Sequence, residues 1–180
     1  MSIAETHAIT CPKCRKTQEQ EIWQSINVSI DGEMKERVRT GDINVFVCSN
    51  CGAERRIECP VLYHDMHGKL MIWSLPGAQS FEQLSAEDEQ LQQVLGLGQS
   101  EYRKRVVRSM AQLAETVRIF DDGLDDRAIA LIKAGHRRRR GLRINETVYF
   151  GIHEKRGEGK VLVFVDRSQK LYGSPLASYP

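Results

Sequence analysis

The residues of this chain best suited to chemistry are its cysteines. Cys11 and Cys14 form one C-x-x-C pair, Cys48 and Cys51 form a second, and Cys59 stands apart. A C-x-x-C segment closes into a tight knuckle that presents two thiolates at once. Two knuckles complete a tetrahedral four-sulfur shell with metal–sulfur bonds of about 2.3 Å. Such a shell leaves no open position for water, so the implied cofactor is one structural Zn2+, a staple and not a catalyst. Residues 1–10 have neither a basic start nor an apolar stretch, so no secretory signal is expected. A disulfide framework, which needs an oxidising compartment, is disfavoured accordingly, and a cytoplasmic location is expected. A thioredoxin-type site uses one C-x-x-C at the head of a helix, whereas neither pair here opens a helical pattern. An iron–sulfur cluster also takes four cysteines, but the two-plus-two spacing is more common for zinc.

The flanking residues fit knuckles. Pro12 fixes φ directly after the first ligand and gives up only an amide that the knuckle does not need. Gly52 follows the second pair and suits the left-handed conformation on which a knuckle ends. Arg15 occupies the matching place in the first knuckle, which is therefore expected to close with strain or through a different turn. Lys13, Arg15 and Lys16 offset part of the negative charge of a four-thiolate centre. Cys59 precedes Pro60 and has no partner three residues on, so it is expected on a strand as a small buried hydrophobe.

Elements must carry these knuckles. Residues 19–30 alternate, with Ile22, Gln24, Ile26, Val28 and Ile30 on one side and Trp23 as the exception, which predicts a strand leaving the first knuckle. A short charged helix follows over 33–39, with Met34 and Val38 four apart, and Gly41 ends it. Residues 43–47 read as the strand that delivers Cys48, and 55–62 and 69–73 as two more. Residues 77–99 read as an acidic linker, with a short amphipathic helix over 87–95. Tyr102, Val106, Met110, Leu113, Val117 and Phe120 step by three or four residues, predicting a helix over 101–120 with Ser100 as N-cap. Its stop is the stretch from Phe120 to Gly123. A second helix is expected from Asp122 or Gly123, with Ala128, Ile129, Leu131 and Ile132 as its apolar face. Residues 147–152 and 160–166 read as a β-hairpin, with Val148, Phe150 and Ile152 on one face. The expected fold is α+β: an N-terminal zinc-ribbon-like antiparallel β module over 1–76, the linker over 77–99, and a basic region over 100–180 with two helices and a C-terminal hairpin.

Taken together, Cys11-Pro12-Lys13-Cys14, then Cys48-Ser49-Asn50-Cys51-Gly52, then Leu62-Tyr63-His64-Asp65-Met66 with Leu70-Met71-Ile72 resemble the CpXC domain. The stretch from Val117 to Arg127 is similar to the helical segment that often follows it. The resemblance covers roughly residues 8–135. It implies a zinc-binding module from a mostly bacterial family with no assigned reaction. It also carries over the four cysteines as metal ligands and no catalytic residue.

The chain has 180 residues, 41% hydrophobic and 28% charged, which excludes collagen-like, mucin-like and wholly disordered classes. Its longest unbroken apolar run, residues 161–165, is far too short to span a bilayer, so no membrane partner is expected. The net charge of +2 hides an asymmetry. Residues 1–76 sum to −1 (9 basic, 10 acidic), 77–99 to −4 (no basic, 4 acidic) and 100–180 to +7 (17 basic, 10 acidic). Arg137, Arg138, Arg139, Arg140 and Arg143 form one basic cluster, and Arg103, Lys104, Arg105 and Arg108 a second. Both suit phosphates or an acidic partner surface, and a solvated helix face has the same composition. Aromatic stacking partners are scarce nearby, Tyr149 and Phe150 being the nearest.

Other signals are weaker. His64, Asp65 and His67 place two imidazoles beside a carboxylate, but no third metal ligand is visible, and a turn between strands explains them. The acidic stretch from Asp121 to Asp126 lacks the spacing and terminal Glu of a calcium loop, and helix capping accounts for it. No phosphate-binding glycine loop and no nucleophile motif occur, so an enzyme is not expected. The expectation is a binding or adaptor module for another macromolecule, a protein partner first and nucleic acid as the alternative.

Overall fold

The computed structural model describes residues 2–76, 102–140, 147–155, 159–166, 168–176 and 179. It is α+β and divides into two compact units, Met1–Leu113 and Ala114–Pro180. The expected linker over 77–99, its helix over 87–95, and Ser100 lie outside the described residues, as does Arg143. No helix among the described residues is long and apolar enough to cross a membrane.

In the first unit, β1 (Ile3–Thr10) and β2 (Thr17–Asn27) make an antiparallel hairpin. Helix α1 (Glu33–Thr40) buries Met34 and Val38, and Gly41 ends it at φ 85°, donating its N–H to the carbonyls of Arg37 and Val38. A second hairpin pairs β3 (Val45–Val47) with β4 (Glu54–Arg56). Strands β5 (Val61–Asp65) and β6 (Leu70–Ser74) are antiparallel neighbours. β7 (Arg103–Val107) completes a five-stranded sheet in the order β1-β2-β5-β6-β7. Ile26, Tyr63 and Ile72, side by side across β2, β5 and β6, are fully buried.

The first unit corrects four expectations. Its large sheet is mixed, because β2 pairs with β5, and β6 with β7, in parallel. The strand expected over 55–62 is two strands. Pro60 cannot donate to a ladder, and residues 57–60 run between β4 and β5. Cys59 therefore sits in a half-buried connection and not on a strand. The helix expected over 101–120 begins only at α2 (Met110–Asp121), because Arg103–Val107 is the β7 strand. The Ser109 hydroxyl accepts the Gln112 N–H at 3.2 Å and the Glu58 carboxylate accepts the Met110 N–H at 2.9 Å, so helix capping falls at Ser109.

Strand β2 also resets its alternation. Ile3 pairs with Ser25 and Ala4 with Trp23, leaving Gln24 as the extra residue of a bulge. The reset explains why Trp23 breaks the polar side of the pattern: Ile22 and Ile26 do not share a face.

In the second unit, α2 ends at a left-handed Gly123 (φ 72°), with Leu124 N–H on the Ile119 carbonyl and Gly123 N–H on that of Phe120. Helix α3 (Asp126–Arg140) starts later than expected, because the Asp125 carboxylate accepts the Arg127 N–H at 2.8 Å. Of its expected apolar face, Ile129 is 1% exposed but Leu131 is 72% exposed. The C-terminal region is a three-stranded antiparallel sheet and not a lone hairpin, with β8 (Thr147–Lys155), β9 (Gly159–Asp166) and β10 (Leu171–Pro175) in the order β10-β9-β8. Tyr149, Leu162, Phe164 and Tyr172 join Ile119, Leu124 and Ile129 in its core. Val148, Phe150 and Ile152 do not form one face. A register shift between Tyr149 and Gly151 makes Phe150 a bulge residue, and it is 52% exposed. A buried Glu115 carboxylate accepts the Lys133 ammonium at 2.6 Å and the Tyr149 N–H at 2.7 Å.

Candidate metal centre

Each C-x-x-C pair sits at the turn of a hairpin, Cys11 and Cys14 between β1 and β2, Cys48 and Cys51 between β3 and β4. The two turns have the same hydrogen bonds. In the first, Cys11 N–H donates to the Lys16 carbonyl and Arg15 N–H to the Cys11 carbonyl, both at 2.9 Å. In the second, Cys48 N–H donates to the Ala53 carbonyl and Gly52 N–H to the Cys48 carbonyl, again both at 2.9 Å. The left-handed residue is Arg15 at φ 64° in one and Gly52 at φ 66° in the other. The first knuckle thus closes through the same turn as the second, with the strain placed on Arg15.

The four Sγ atoms lie within 4.8 Å of one another. Cys11 and Cys51 are 3.7 Å apart, and Cys14 and Cys48 are 3.5 Å apart. Bonds of about 2.3 Å in a regular tetrahedron require sulfurs about 3.8 Å apart. A disulfide needs about 2.05 Å, and all four cysteines are free. Cys11 and Cys48 are buried against Phe46, with Ile9 and Ile57 packed alongside, so one side of the cluster is shielded from water.

Electrostatics fit a cation. The Cys14 and Lys13 backbone N–H groups lower the Cys11 thiol, and Pro12, between ligand and donors, is not called on. The Lys16 N–H and the Asn50 side chain bring Cys14 down to about 6. At Cys51 the Ala53 N–H favours the thiolate, but burial and the three neighbouring sulfurs outweigh it and push the thiol up to about 11. Four adjacent thiolates repel one another, and a divalent ion removes that penalty. The residues therefore fit a tetrahedral metal ion.

Two amide side chains, with no signal in the cysteine motif, fix the second hairpin to the first. Gln18 donates to the Val47 carbonyl at 3.0 Å and accepts the Ser49 N–H at 2.8 Å. Asn44, 2% exposed, accepts the Trp23 N–H at 2.8 Å and donates to the Trp23 carbonyl at 2.9 Å, beside the β2 bulge. Asn44 is itself left-handed at φ 54°, a conformation that asparagine tolerates better than most residues.

Cys59 is not in the cluster. Its thiol receives the Asn44 amide at 3.1 Å, and burial raises its pKa. It borders a cavity of about 470 Å³ lined chiefly by apolar side chains, among them Ile22, Leu62, Trp73 and Leu75.

The histidines do not converge on a site. His64 and Asp65 are consecutive on β5, so their side chains leave opposite faces. The His64 ring lies 3.2 Å from the Tyr102 hydroxyl, and its pKa is lowered by burial. Burial would raise the Asp65 carboxyl, but the Gly68 N–H at 2.7 Å and the Lys35 ammonium at 3.2 Å prevail and lower it. His67 is exposed in the turn. Asp122 accepts the Tyr149 hydroxyl at 2.6 Å and Asp125 pairs with Arg127 at 2.8 Å, so both serve the helix junction.

The basic clusters belong to different units. Arg103, Lys104 and Arg105 lie on β7, at one end of the five-stranded sheet, with Arg108 just beyond. Charged side chains on such an edge discourage unwanted strand pairing. Arg137, Arg138, Arg139 and Arg140 form the last turn of α3, where Arg138 and Arg139 are exposed. Cations there also favour the helix dipole.

An α+β chain whose one metal-competent cluster, among the described residues, is a pair of C-x-x-C knuckles is a metal-binding module of the two-knuckle class. The model of the CpXC protein family matches residues 9–133, and the chain belongs to that family. No curated protein and no solved structure matches it.

Proposed function

We propose that the four thiolates hold one structural zinc ion in a zinc-ribbon arrangement, and that the chain acts as a binding or adaptor module for another macromolecule. The observation that carries this reading is the closed four-sulfur cluster at the tips of two hairpins. Closure leaves no position for a substrate or water, so the metal organises a surface and performs no reaction. Reduced thiolates suit a reducing compartment such as the cytoplasm. A protein partner is the first expectation.

A second reading, nucleic-acid binding, is favoured by the exposed Arg138 and Arg139 at the end of α3, with Arg137 and Arg140 in the same turn. Phosphate contacts release counterions, so this reading requires affinity that falls steeply with salt. The test combines metal analysis of the purified protein with a salt series of binding to mixed-sequence nucleic acid. One equivalent of zinc is expected, and its absence, or a coloured iron centre, overturns the metal assignment. A steep salt slope that disappears when arginines 137–140 are replaced by Glu selects the nucleic-acid reading. No binding at low salt leaves the protein partner.

A further inference from the structure

The two edges of the five-stranded sheet are built from opposite kinds of residue. On one side β7 ends the sheet with Arg103, Lys104 and Arg105 in a strand of 5 residues. On the other side β1 ends it with Ile3-Ala4-Glu5-Thr6-His7-Ala8-Ile9-Thr10, and no described strand lies beyond. Sheet edges are normally blunted by lysine, proline, a bulge or brevity. β1 has 8 residues, none of them Lys, Arg or Pro, and the bulge beside it belongs to β2. The edges of the three-stranded sheet show the usual devices. β8 is interrupted at Phe150 and ends in Glu154 and Lys155, and β10 ends at Pro175.

The β1 edge is held along its whole length. Every residue from Ile3 to Thr10 has a register partner on β2. At one end Ser2 Oγ accepts the Asn27 N–H at 3.0 Å, and at the other the Thr10 and Thr17 hydroxyls are 3.0 Å apart. The register also decides which backbone groups point outward. Cys11 donates its N–H to the Lys16 carbonyl, so it turns its backbone groups toward β2, and Ile9, His7 and Glu5 do the same. The N–H and C=O groups of Ala4, Thr6, Ala8 and Thr10 therefore point away from the sheet.

A second copy of the same strand fits that row. An antiparallel partner related by a two-fold axis through Thr6 sets Thr6 opposite Thr6, Ala4 opposite Ala8 and Thr10 opposite Ser2. All of these turn their backbone groups outward, so the pairs exchange ladder hydrogen bonds. The intervening pairs are Glu5 with His7 and Ile3 with Ile9, acid against imidazole and apolar against apolar. Glu5 and His7 already share a face of their own strand, with 3.6 Å between carboxylate and ring. Ile3, 49% exposed in the single chain, gains cover from Ile9. Other registers are poorer. An axis through His7 sets His7 against His7 and Glu5 against Ile9, and one through Glu5 sets the two carboxylates against each other. An axis between Thr6 and His7 opposes outward-facing groups to inward-facing ones.

We propose that β1 is a homodimerisation edge, two copies joining β1 to β1 antiparallel about Thr6 so that one continuous sheet runs through both. The proposal is independent of what the metal centre and the arginines bind. The experiment measures molar mass by light scattering and sedimentation over a concentration series, with zinc content and circular dichroism checked for each variant. Wild type should move from the 20.5 kDa of one chain toward twice that mass as concentration rises. Thr6 is exposed, and its N–H faces away from β2. Thr6→Pro thus removes donors that only the second copy uses, and should raise the dimer dissociation constant roughly a hundredfold. Thr6→Lys leaves the backbone unchanged and sets two cations against each other on the axis, for about a tenfold rise.

The register has its own test. Glu5→Lys and His7→Glu each destroy the cross-axis pairing and should weaken the dimer about fivefold. The double variant restores opposite charges and should return the wild-type constant. Wild type that stays monomeric at every concentration overturns the proposal. A dimer indifferent to both Thr6 variants is formed by another surface and overturns it as well. A double variant no better than the single ones means a different register, and overturns the axis through Thr6.

Discussion

The two knuckles are near copies in hydrogen bonding and unlike in what supports them. Residues 11–16 turn a hairpin of 8- and 11-residue strands, one of which lies inside the five-stranded sheet. Residues 48–53 turn a hairpin of two 3-residue strands that pair only with each other. A hairpin that short does not hold itself in water. The second knuckle therefore depends on Phe46 in the small apolar cluster, on the two amide tethers at Gln18 and Asn44, and, under the proposed function, on the metal. The first knuckle is positioned by the sheet. Sulfur geometry alone does not reveal which half of a metal site is preformed; the length of the flanking strands does.

The strongest test of that difference removes the metal. Binding of structural zinc contributes on the order of 10–16 kcal/mol in small modules. Cys14→Ser and Cys48→Ser are both expected to lose zinc and unfold the first unit, measured by metal content and thermal melting. A variant that loses zinc yet keeps its melting temperature would refute the staple role. Chelation of the wild type then separates the knuckles in time. Amide exchange should rise first over β3 and β4 and later over β1 and β2. Simultaneous loss of protection would mean that the two hairpins form one cooperative unit.

Cutting the tethers has smaller effects of the same sense. Asn44→Ala leaves the Trp23 N–H and carbonyl without their side-chain partner and puts alanine in a left-handed conformation. The expected cost is about 3 kcal/mol. Gln18 lies in an exposed setting where water replaces it, so Gln18→Ala should cost only about 1 kcal/mol. Urea midpoints measure both costs. Transfer of zinc to a chromophoric chelator should be faster in both variants, more so for Asn44→Ala. Unchanged transfer rates would show that the amides do not tie the second knuckle.

The knuckles were legible because a C-x-x-C turn is decided by four adjacent residues, and α1 because Met34, Val38 and Gly41 mark its face and its end. The reading of 101–120 as one helix failed for a geometric reason. Residues four apart share a face in a strand as well as in a helix, so Tyr102 and Val106 fit both. The parallel pairing of Arg103–Val107 with β6 is a long-range choice that no local pattern encodes. Both bulges, at Gln24 and Phe150, shift the alternation by one residue, which turns a correct strand assignment into a wrong face. The Gln18 tether left no trace in the sequence, since an amide reaching across to another hairpin has no fixed spacing. Asn44 alone offered a hint, because asparagine before a strand often marks a left-handed residue.

The smallest expected effect compares the knuckles atom for atom. Arg15 and Gly52 occupy the same place at φ 64° and 66°, and an L side chain there costs about 1 kcal/mol relative to glycine. A Cβ on Gly52 would meet nothing within 4 Å, so the cost of Gly52→Ala is one of backbone conformation alone. That variant should lower stability by about 1 kcal/mol. Arg15→Gly relieves the same strain but gives the unfolded chain more freedom, so its net gain should be smaller, about 0.5 kcal/mol. It also removes a cation close to four thiolates, so zinc affinity should not rise with stability. Urea midpoints of the two single variants and the double variant, with zinc competition alongside, test the equivalence. Effects of opposite sign that add in the double variant support two interchangeable turns. If Gly52→Ala costs nothing, the second knuckle is loose enough to relax around the new side chain, as a hairpin held only by metal and tethers would be.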